Sequence, residues 1–66
     1  MHIRLNGIIR EVPDGITIRR LLETLALGPY QAVVQRNLDI VRREKYPCRV
    51  LLPDDAIEIL TFSSGG

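Results

Sequence analysis

Only one stretch of this 66-residue chain has the periodicity of an amphipathic helix, and it constrains the fold more than any other feature. Its large apolar residues recur at i, i+3, i+4 and i+7 and form one stripe: Ile18, Leu21, Leu22 and Leu25. Thr17 is placed to cap the first turn, and Ile16 and Leu21 are placed as a hydrophobic staple. Gly28 is predicted to take the left-handed conformation at the end of the helix. Pro29 cannot donate a backbone hydrogen bond and so prevents the helix from continuing. A single helix therefore has to cover whatever sheet the rest of the chain forms.

Most of the remaining chain alternates between apolar and polar residues, as half-buried strands do. The predicted strands span residues 1–5, 8–12, 32–36, 40–42 and 56–62, with a further short apolar run at 49–52. Asn6-Gly7 accepts the positive φ values of a two-residue turn, so the first two strands should form a hairpin. Pairing Leu5 with Ile8 would put Arg10 on the apolar face. The second strand is therefore predicted to lie at a sheet edge, unless the loop is longer.

This order of elements predicts an α+β fold, with a mixed sheet of four or five strands covered by one main helix. Residues 1–62 are expected to form the domain. Residues 63–66 are expected to form a flexible tail, because the tail is small and polar and has no side chain to anchor it. The predicted core consists of Ile3, Leu5, Val12, Leu21, Leu22, Leu25, Val34, Ile57 and Ile59.

Composition argues against several classes of partner. Nine basic and eight acidic residues leave a net charge of +1, so neither nucleic acid nor a membrane surface is an expected partner. The local clusters at 19–20 and 42–45 are predicted to be solvated, with a partner-binding patch as the alternative that charge reversal would separate. Cys48 is the only cysteine, which excludes an internal disulfide and fits a reducing cytoplasm. No signal peptide or membrane-length apolar run is recognisable.

The inventory of reactive side chains predicts that the chain is not an enzyme. His2 is the only histidine and is expected on the outward face of the first strand, without a partner. Cys48 is expected to begin a strand as a small hydrophobic residue, with sulfur transfer as the lesser alternative. Asp54 and Asp55 are expected to cap or solvate a turn. No phosphate-binding glycine motif or metal site can be written, so no cofactor is expected on the chain itself.

The last residues are the remaining candidates for chemistry. Gly65 and Gly66 carry no Cβ, so with Ser64 they can enter a narrow channel and present the Gly66 carboxylate as a latent acyl group. A terminus without function is the alternative. Leu60 and Phe62 lie on the face opposite Ile57 and Ile59. They are candidates to anchor a partner, or else to cover the edge of the core.

These features, in this order, resemble the ThiS family of small sulfur carrier proteins of thiamin biosynthesis, which have the ubiquitin-like β-grasp fold. The resemblance covers the whole chain. It rests on Leu5-Asn6-Gly7, Ile16-Thr17-Ile18, Leu21-Leu22, Asn37, Ile40-Val41, Arg43, Asp55, Ile57-Glu58-Ile59 and Gly65-Gly66. The chain departs from the family pattern where Arg36 replaces a commonly apolar residue and where Pro53-Asp54-Asp55 replaces Asp-Gly-Asp.

The resemblance implies a carrier cycle. A separate ThiF-like adenylating enzyme would use MgATP to convert the Gly66 carboxylate into an acyl-adenylate, and sulfur from a persulfide donor would replace AMP. A ThiG-like thiazole synthase would then take sulfur from the resulting thiocarboxylate. A carrier for molybdopterin or cysteine synthesis, a ubiquitin-like protein modifier and a passive interaction module are the alternatives.

Overall fold

The computed structural model describes residues 1–62, and the predicted tail at 63–66 lies outside the described residues. One α-helix, α1, spans Ile18–Thr24, and a single 3₁₀ turn spans Arg43–Lys45. The strands are β1 (His2–Leu5), β2 (Ile8–Glu11), β3 (Ala32–Arg36), β4 (Asp39–Val41) and β5 (Ala56–Thr61). Apart from shifts of one residue at several ends, these are the strands that the sequence predicts.

The five strands form one mixed sheet in the order β2-β1-β5-β3-β4. The first strand, β1, and the last, β5, run parallel at the centre, and the other neighbouring strands are antiparallel. The inner face of the sheet, which carries Ile3, Leu5, Val34, Ile57 and Ile59, is buried together with α1. The α+β prediction, with five strands and one helix, is confirmed.

The hairpin of β1 and β2 follows from its turn residues. Asn6 and Gly7 both have positive φ, at 49° and 84°, and Leu5 lies opposite Ile8 across the two-residue turn. All four residues of β2 are exposed, and β2 is an edge strand. Arg10 therefore reaches solvent even though it lies on the inner face opposite Ile3, so the predicted edge position is confirmed.

The start of α1 is fully hydrogen-bonded. The Thr17 hydroxyl accepts from the Arg20 N–H at 3.1 Å, as a capping residue does. The first two N–H groups of the helix donate to the segment after the 3₁₀ turn: that of Ile18 to the Arg49 carbonyl and that of Arg19 to the Tyr46 carbonyl, each at 3.0 Å. The orphan donors of a helix start are therefore satisfied, and the start is tied to the segment that passes beside it.

The end of α1 differs from the prediction. Gly28 does not hold the left-handed position, which belongs to Ala26 at a φ of 60°. The Ala26 N–H donates to the Glu23 carbonyl at 3.0 Å and the Leu27 N–H to the Leu22 carbonyl at 2.9 Å, which is the hydrogen-bond pattern of a Schellman motif. The helix turns back early because Leu27 then packs against the core. The burial of Leu27 therefore outweighs the preference of glycine for the left-handed conformation.

Five buried apolar residues lie outside the predicted core: Ile16, Ile18, Ala32, Tyr46 and Leu51. Tyr46 and Leu51 are buried, although the segment at 49–52 forms no strand and contributes only a single bridge between Thr17 and Val50. Cys48 is exposed in a turn, so the prediction that it begins a strand as a small hydrophobic residue is wrong. The segment runs past the helix start and buries Leu51 without sheet pairing. Eight of the nine predicted core residues are buried, and Leu25 is partly buried.

We expect Ala26→Gly to raise the free energy of unfolding by about 0.5–1 kcal/mol. The substitution removes the steric cost of a Cβ in the left-handed conformation, about 1–2 kcal/mol. Part of this gain is lost, because glycine gives the unfolded chain more conformational entropy. Gly15→Ala is the reciprocal control, because Gly15 has a φ of +78° and no other atom lies within 4 Å of the position that a Cβ would take. It should lower stability by about 1 kcal/mol. Urea denaturation measures both. A destabilised Ala26→Gly variant would contradict the assignment of helix-end strain to Ala26.

Candidate functional site

The described chain ends at Phe62, so the structure shows how β5 leads into the predicted reactive residues. β3 holds β5 on one side as far as this point: Ala32 lies opposite Thr61, and the Phe62 N–H donates to the Gln31 carbonyl at 3.2 Å. The predicted site residues Ser64, Gly65 and Gly66 lie outside the described residues. What the structure defines is the fixed base from which they extend.

Asn6 holds β5 on its other side. The Asn6 N–H donates to the Ile57 carbonyl at 2.9 Å. Beyond the last residue of β1, the Asn6 side chain bonds β5 in place of the backbone. Its Oδ1 accepts from the Ile59 N–H at 2.8 Å, and its Nδ2 donates to the Ile59 carbonyl at 3.4 Å. One residue thus adopts the left-handed turn conformation and also continues the pairing of β1 with β5 by two residues. Sequence reasoning identified only the turn.

A polar cluster fixes the opposite end of β5. Asp55 is only 6% exposed. Its Oδ2 accepts from Arg36 Nε at 2.9 Å and from the Leu52 N–H at 2.8 Å, and its Oδ1 accepts from Asn37 Nδ2 at 3.1 Å. Asn37 Oδ1 in turn accepts from the Ala56 N–H at 2.9 Å. The predicted capping role is confirmed for Asp55, and the unusual Arg36 is the cation that pairs with it.

Leu60 and Phe62 are exposed on the outer face of the sheet, by 59% and 60%. The alternative that they cover the edge of the core is therefore wrong. Val33 lies directly opposite Leu60, and Ile40, which is 67% exposed, belongs to the same face through its pairing with Gln35. We call Val33, Ile40, Leu60 and Phe62 the outer apolar patch. It lies beside the end of β5, and its role as a partner anchor stays a prediction.

The other reactive side chains of residues 1–62 are dispersed. His2 is exposed on the outer face, as predicted, and Cys48 lies in an exposed turn. Within this part of the chain no three His, Cys, Asp or Glu residues converge in a way that could hold a metal ion. No helix within residues 1–62 has the length and apolar character needed to cross a membrane. The cytoplasmic location stays a prediction.

Comparison with known proteins identifies the family. The five-stranded mixed sheet with one covering helix is a ubiquitin-like β-grasp domain. The ThiS family model matches residues 3–66, and the chain belongs to this family. The crystal structure of the thiamine biosynthesis protein ThiS from Geobacter metallireducens superposes with a TM-score of 0.83 at 26% identity, covering all of both chains. Its NMR solution structure gives 0.84 at 26% identity and covers 100% of this chain and 88% of that one.

Two curated relatives are much longer proteins. A thiazole synthase of Magnetococcus marinus is 39% identical over 66 residues, and one of Paramagnetospirillum magneticum is 32% identical over the same length. Each match covers all of this chain but only 20% of the relative. The chain thus corresponds to about a fifth of these proteins.

We expect Asp55→Asn to lower the free energy of unfolding by about 3 kcal/mol. The substitution leaves Arg36 without its charge partner. It also places an amide NH₂ group, which is a donor, where a carboxylate oxygen accepted a hydrogen bond. Asp54→Asn is the matched control: the neighbouring side chain is exposed, and asparagine tolerates its φ of 67°. That control should stay within about 0.5 kcal/mol of the parent. Equal effects of the two substitutions in urea denaturation would show that the Asp55 cluster contributes no more than an exposed turn.

Proposed function

We propose that this protein is a sulfur carrier of thiamin biosynthesis, in which the carboxylate of Gly66 is adenylated and then converted to a thiocarboxylate. The observation that carries the proposal is the family match, which runs through residue 66 and so includes Gly65-Gly66 together with the fold. The thiazole synthase relatives support thiazole formation as the destination of the sulfur, in preference to molybdopterin or cysteine synthesis.

The chemistry is divided between the carrier and its partners. A carboxylate is a poor acyl donor, so a separate adenylating enzyme uses MgATP to join an oxygen of the Gly66 carboxylate to the α-phosphate, with release of pyrophosphate. The terminal sulfur of a persulfide donor attacks the acyl carbon, and AMP leaves. A thiol then reduces the resulting acyl disulfide, which frees the thiocarboxylate for thiazole synthase. In this cycle the chain is a protein co-substrate and MgATP is used by its partner.

The carrier's own contribution is positioning. Binding at a folded surface raises the effective concentration of a reacting group in a partner's active site. Asn6 and β3 fix β5 on both sides near its end, so the direction in which the chain leaves the domain is defined. Four residues can extend at most about 14 Å beyond Phe62. Gly66 therefore reacts close to the outer apolar patch, and Gly65 and Ser64 are the residues that would occupy an access channel.

The direct test is intact-protein mass spectrometry after incubation with MgATP, the organism's adenylating enzyme and a persulfide source with a reducing thiol. We expect a mass gain equal to the difference between sulfur and oxygen, localised to Gly66 by fragmentation. Deletion of Gly66, or omission of ATP, should abolish the gain. The same spectrum reports whether Gly66 ends the chain that reacts. An unchanged mass, with an adenylating enzyme shown to be active on another carrier, would reject the sulfur-carrier proposal.

The outer apolar patch should contribute to recognition by the adenylating enzyme. We expect Phe62→Ala to lower kcat/KM for adenylation roughly tenfold, as truncation of an aromatic interface anchor does. The side chain is largely exposed, so the melting temperature should change little. Leu38→Ala is the control, because it removes a side chain that is 83% exposed in the turn between β3 and β4, away from the end of β5. ATP–pyrophosphate exchange measures both variants. Equal rates for Phe62→Ala and the parent would exclude the anchor role.

A further inference from the structure

A cleft opens between α1 and the 3₁₀ turn, next to the end of the helix. Its volume is about 520 Å³. Leu27, Pro29 and Pro47 contribute apolar surface to it, and Arg19, Tyr30 and Arg43 contribute polar and aromatic surface. Such a combination can receive an apolar side chain and a charged group together. Neither the carrier chemistry nor the outer apolar patch accounts for this cleft.

Arg43 is held in a fixed orientation at the cleft. Its guanidinium carbon lies 4.3 Å from the centroid of the Tyr30 ring, and its Nε donates to the Pro29 carbonyl at 2.9 Å. Among residues 1–62 it has no acidic partner within ion-pair distance. Its two terminal nitrogens are the part of the guanidinium that makes bidentate bonds to carboxylates. Stacking and the Nε bond therefore prepare them for an external anion.

The acidic side chains around the cleft are already engaged. Glu23 pairs with Arg19 at 3.5 Å and with Arg20 at 3.1 Å, and Glu44 pairs with Arg42 at 3.6 Å. The pKa of Glu44 is lowered by a hydrogen bond from its own backbone and by the charges of Arg42 and Lys45, so this carboxylate stays ionised and paired. Arg43 remains as the cation whose charge is not neutralised at the rim.

Charge is also distributed unevenly along the chain. Residues 42–49 contain four basic residues and one acidic residue and carry a net charge of +3. The rest of the chain carries −2, which together gives the net charge of +1. The segment that forms the 3₁₀ turn and carries Arg43 is thus the positive part of the chain. An acidic partner surface would be attracted to it, and the overall charge conceals this polarity.

The cleft lies at the end of the molecule where β5 stops. Tyr30 directly precedes Gln31, whose carbonyl accepts the Phe62 N–H at 3.2 Å. A partner segment seated against Tyr30 and Arg43 would therefore contact the domain next to the base of the reactive tail. That location favours an enzyme acting on Gly66 over an unrelated ligand.

We propose that the cleft docks an acidic segment of the adenylating enzyme, with a carboxylate on the terminal nitrogens of Arg43 and an apolar side chain over Leu27 and Pro29. This inference rests on the proposed function. Adenylation brings the negative Gly66 carboxylate up to the polyanion ATP, and binding energy from a site remote from the reacting atoms can offset that repulsion. Polynucleotide phosphates fit less well, because much of the cleft surface is apolar.

The experiment measures the Kd between the full chain and the adenylating enzyme by isothermal titration calorimetry at low and high salt. Arg43→Glu should weaken binding at least about tenfold, and the affinity of the parent should fall with salt more steeply than that of the variant. Tyr30→Ala should weaken binding less, because it removes the stacking platform and keeps the charge. Arg43→Lys should also be intermediate, since it retains the charge and loses the bidentate geometry.

Arg10→Glu is the matched control, because it makes the same charge change on the exposed edge strand β2 and should leave the Kd within about twofold of the parent. Circular dichroism confirms that each variant is folded. If Arg10→Glu and Arg43→Glu weaken binding equally, the change in net charge alone explains the effect, and the proposal is overturned. Parent-like affinity of both Arg43→Glu and Tyr30→Ala would overturn it too.

The outcome is separable from that of the proposed function. If the parent chain gains the thiocarboxylate mass and Arg43→Glu binds normally, the docking site is wrong and the carrier function stands. If the parent neither gains the mass nor binds the adenylating enzyme, both proposals fail.

Discussion

The parallel pairing of β1 with β5 is the interaction on which the rest of the structure depends. It joins the first strand of the chain to the last at the centre of the sheet, so each outer strand is attached through one of these two. Closing so long a loop costs chain entropy that only later contacts return. A chain of 66 residues buries only about 60% of the surface exposed on unfolding, so it has little excess stability with which to tolerate an error in this pairing.

The register of that pairing is fixed by side chains as well as by strands. At one end of β5, buried Asp55 joins Arg36, Asn37 and the turn before the strand into one hydrogen-bonded cluster. At the other end, the Asn6 amide binds both backbone groups of Ile59. A shift of one residue would break both sets of bonds and move Ile57 and Ile59 to the outer face. The two polar clusters therefore specify where the sheet ends, and with it the point after which residues 63–66 follow.

The helix, strands and turns were predicted correctly because each is encoded within a few neighbouring residues. Tertiary contacts were not predicted, because they join residues that are far apart in the sequence. Thr17 caps α1, Asn6-Gly7 turns the hairpin and alternation exposes Leu60 and Phe62, and all of this can be seen within a few residues of sequence. The pairing of Arg36 with Asp55 spans 19 residues and depends on strand register, which no local pattern encodes. Gly28 offered a better left-handed residue than Ala26, but the helix had to end earlier for Leu27 to reach the core. Of the candidate site, Gly66 was predicted from the Gly65-Gly66 pair together with the family resemblance, and Leu60 and Phe62 were predicted from alternation. The bonds of Asn6 to Ile59 and the fixed orientation of Arg43 required the three-dimensional structure.

A carrier that serves two enzymes in turn must separate recognition from chemistry. In the proposed cycle the reacting group lies on Gly66 after Gly65, and two residues without side chains would allow the same tail to enter different active sites but would give those sites little to bind. Selectivity must then come from the folded domain. The molecule offers two surfaces of different character beside the end of β5: the outer apolar patch on the sheet and the positive cleft beyond α1. A partner can then be distinguished by which surface it uses, while in the proposed cycle the tail remains common to all of them.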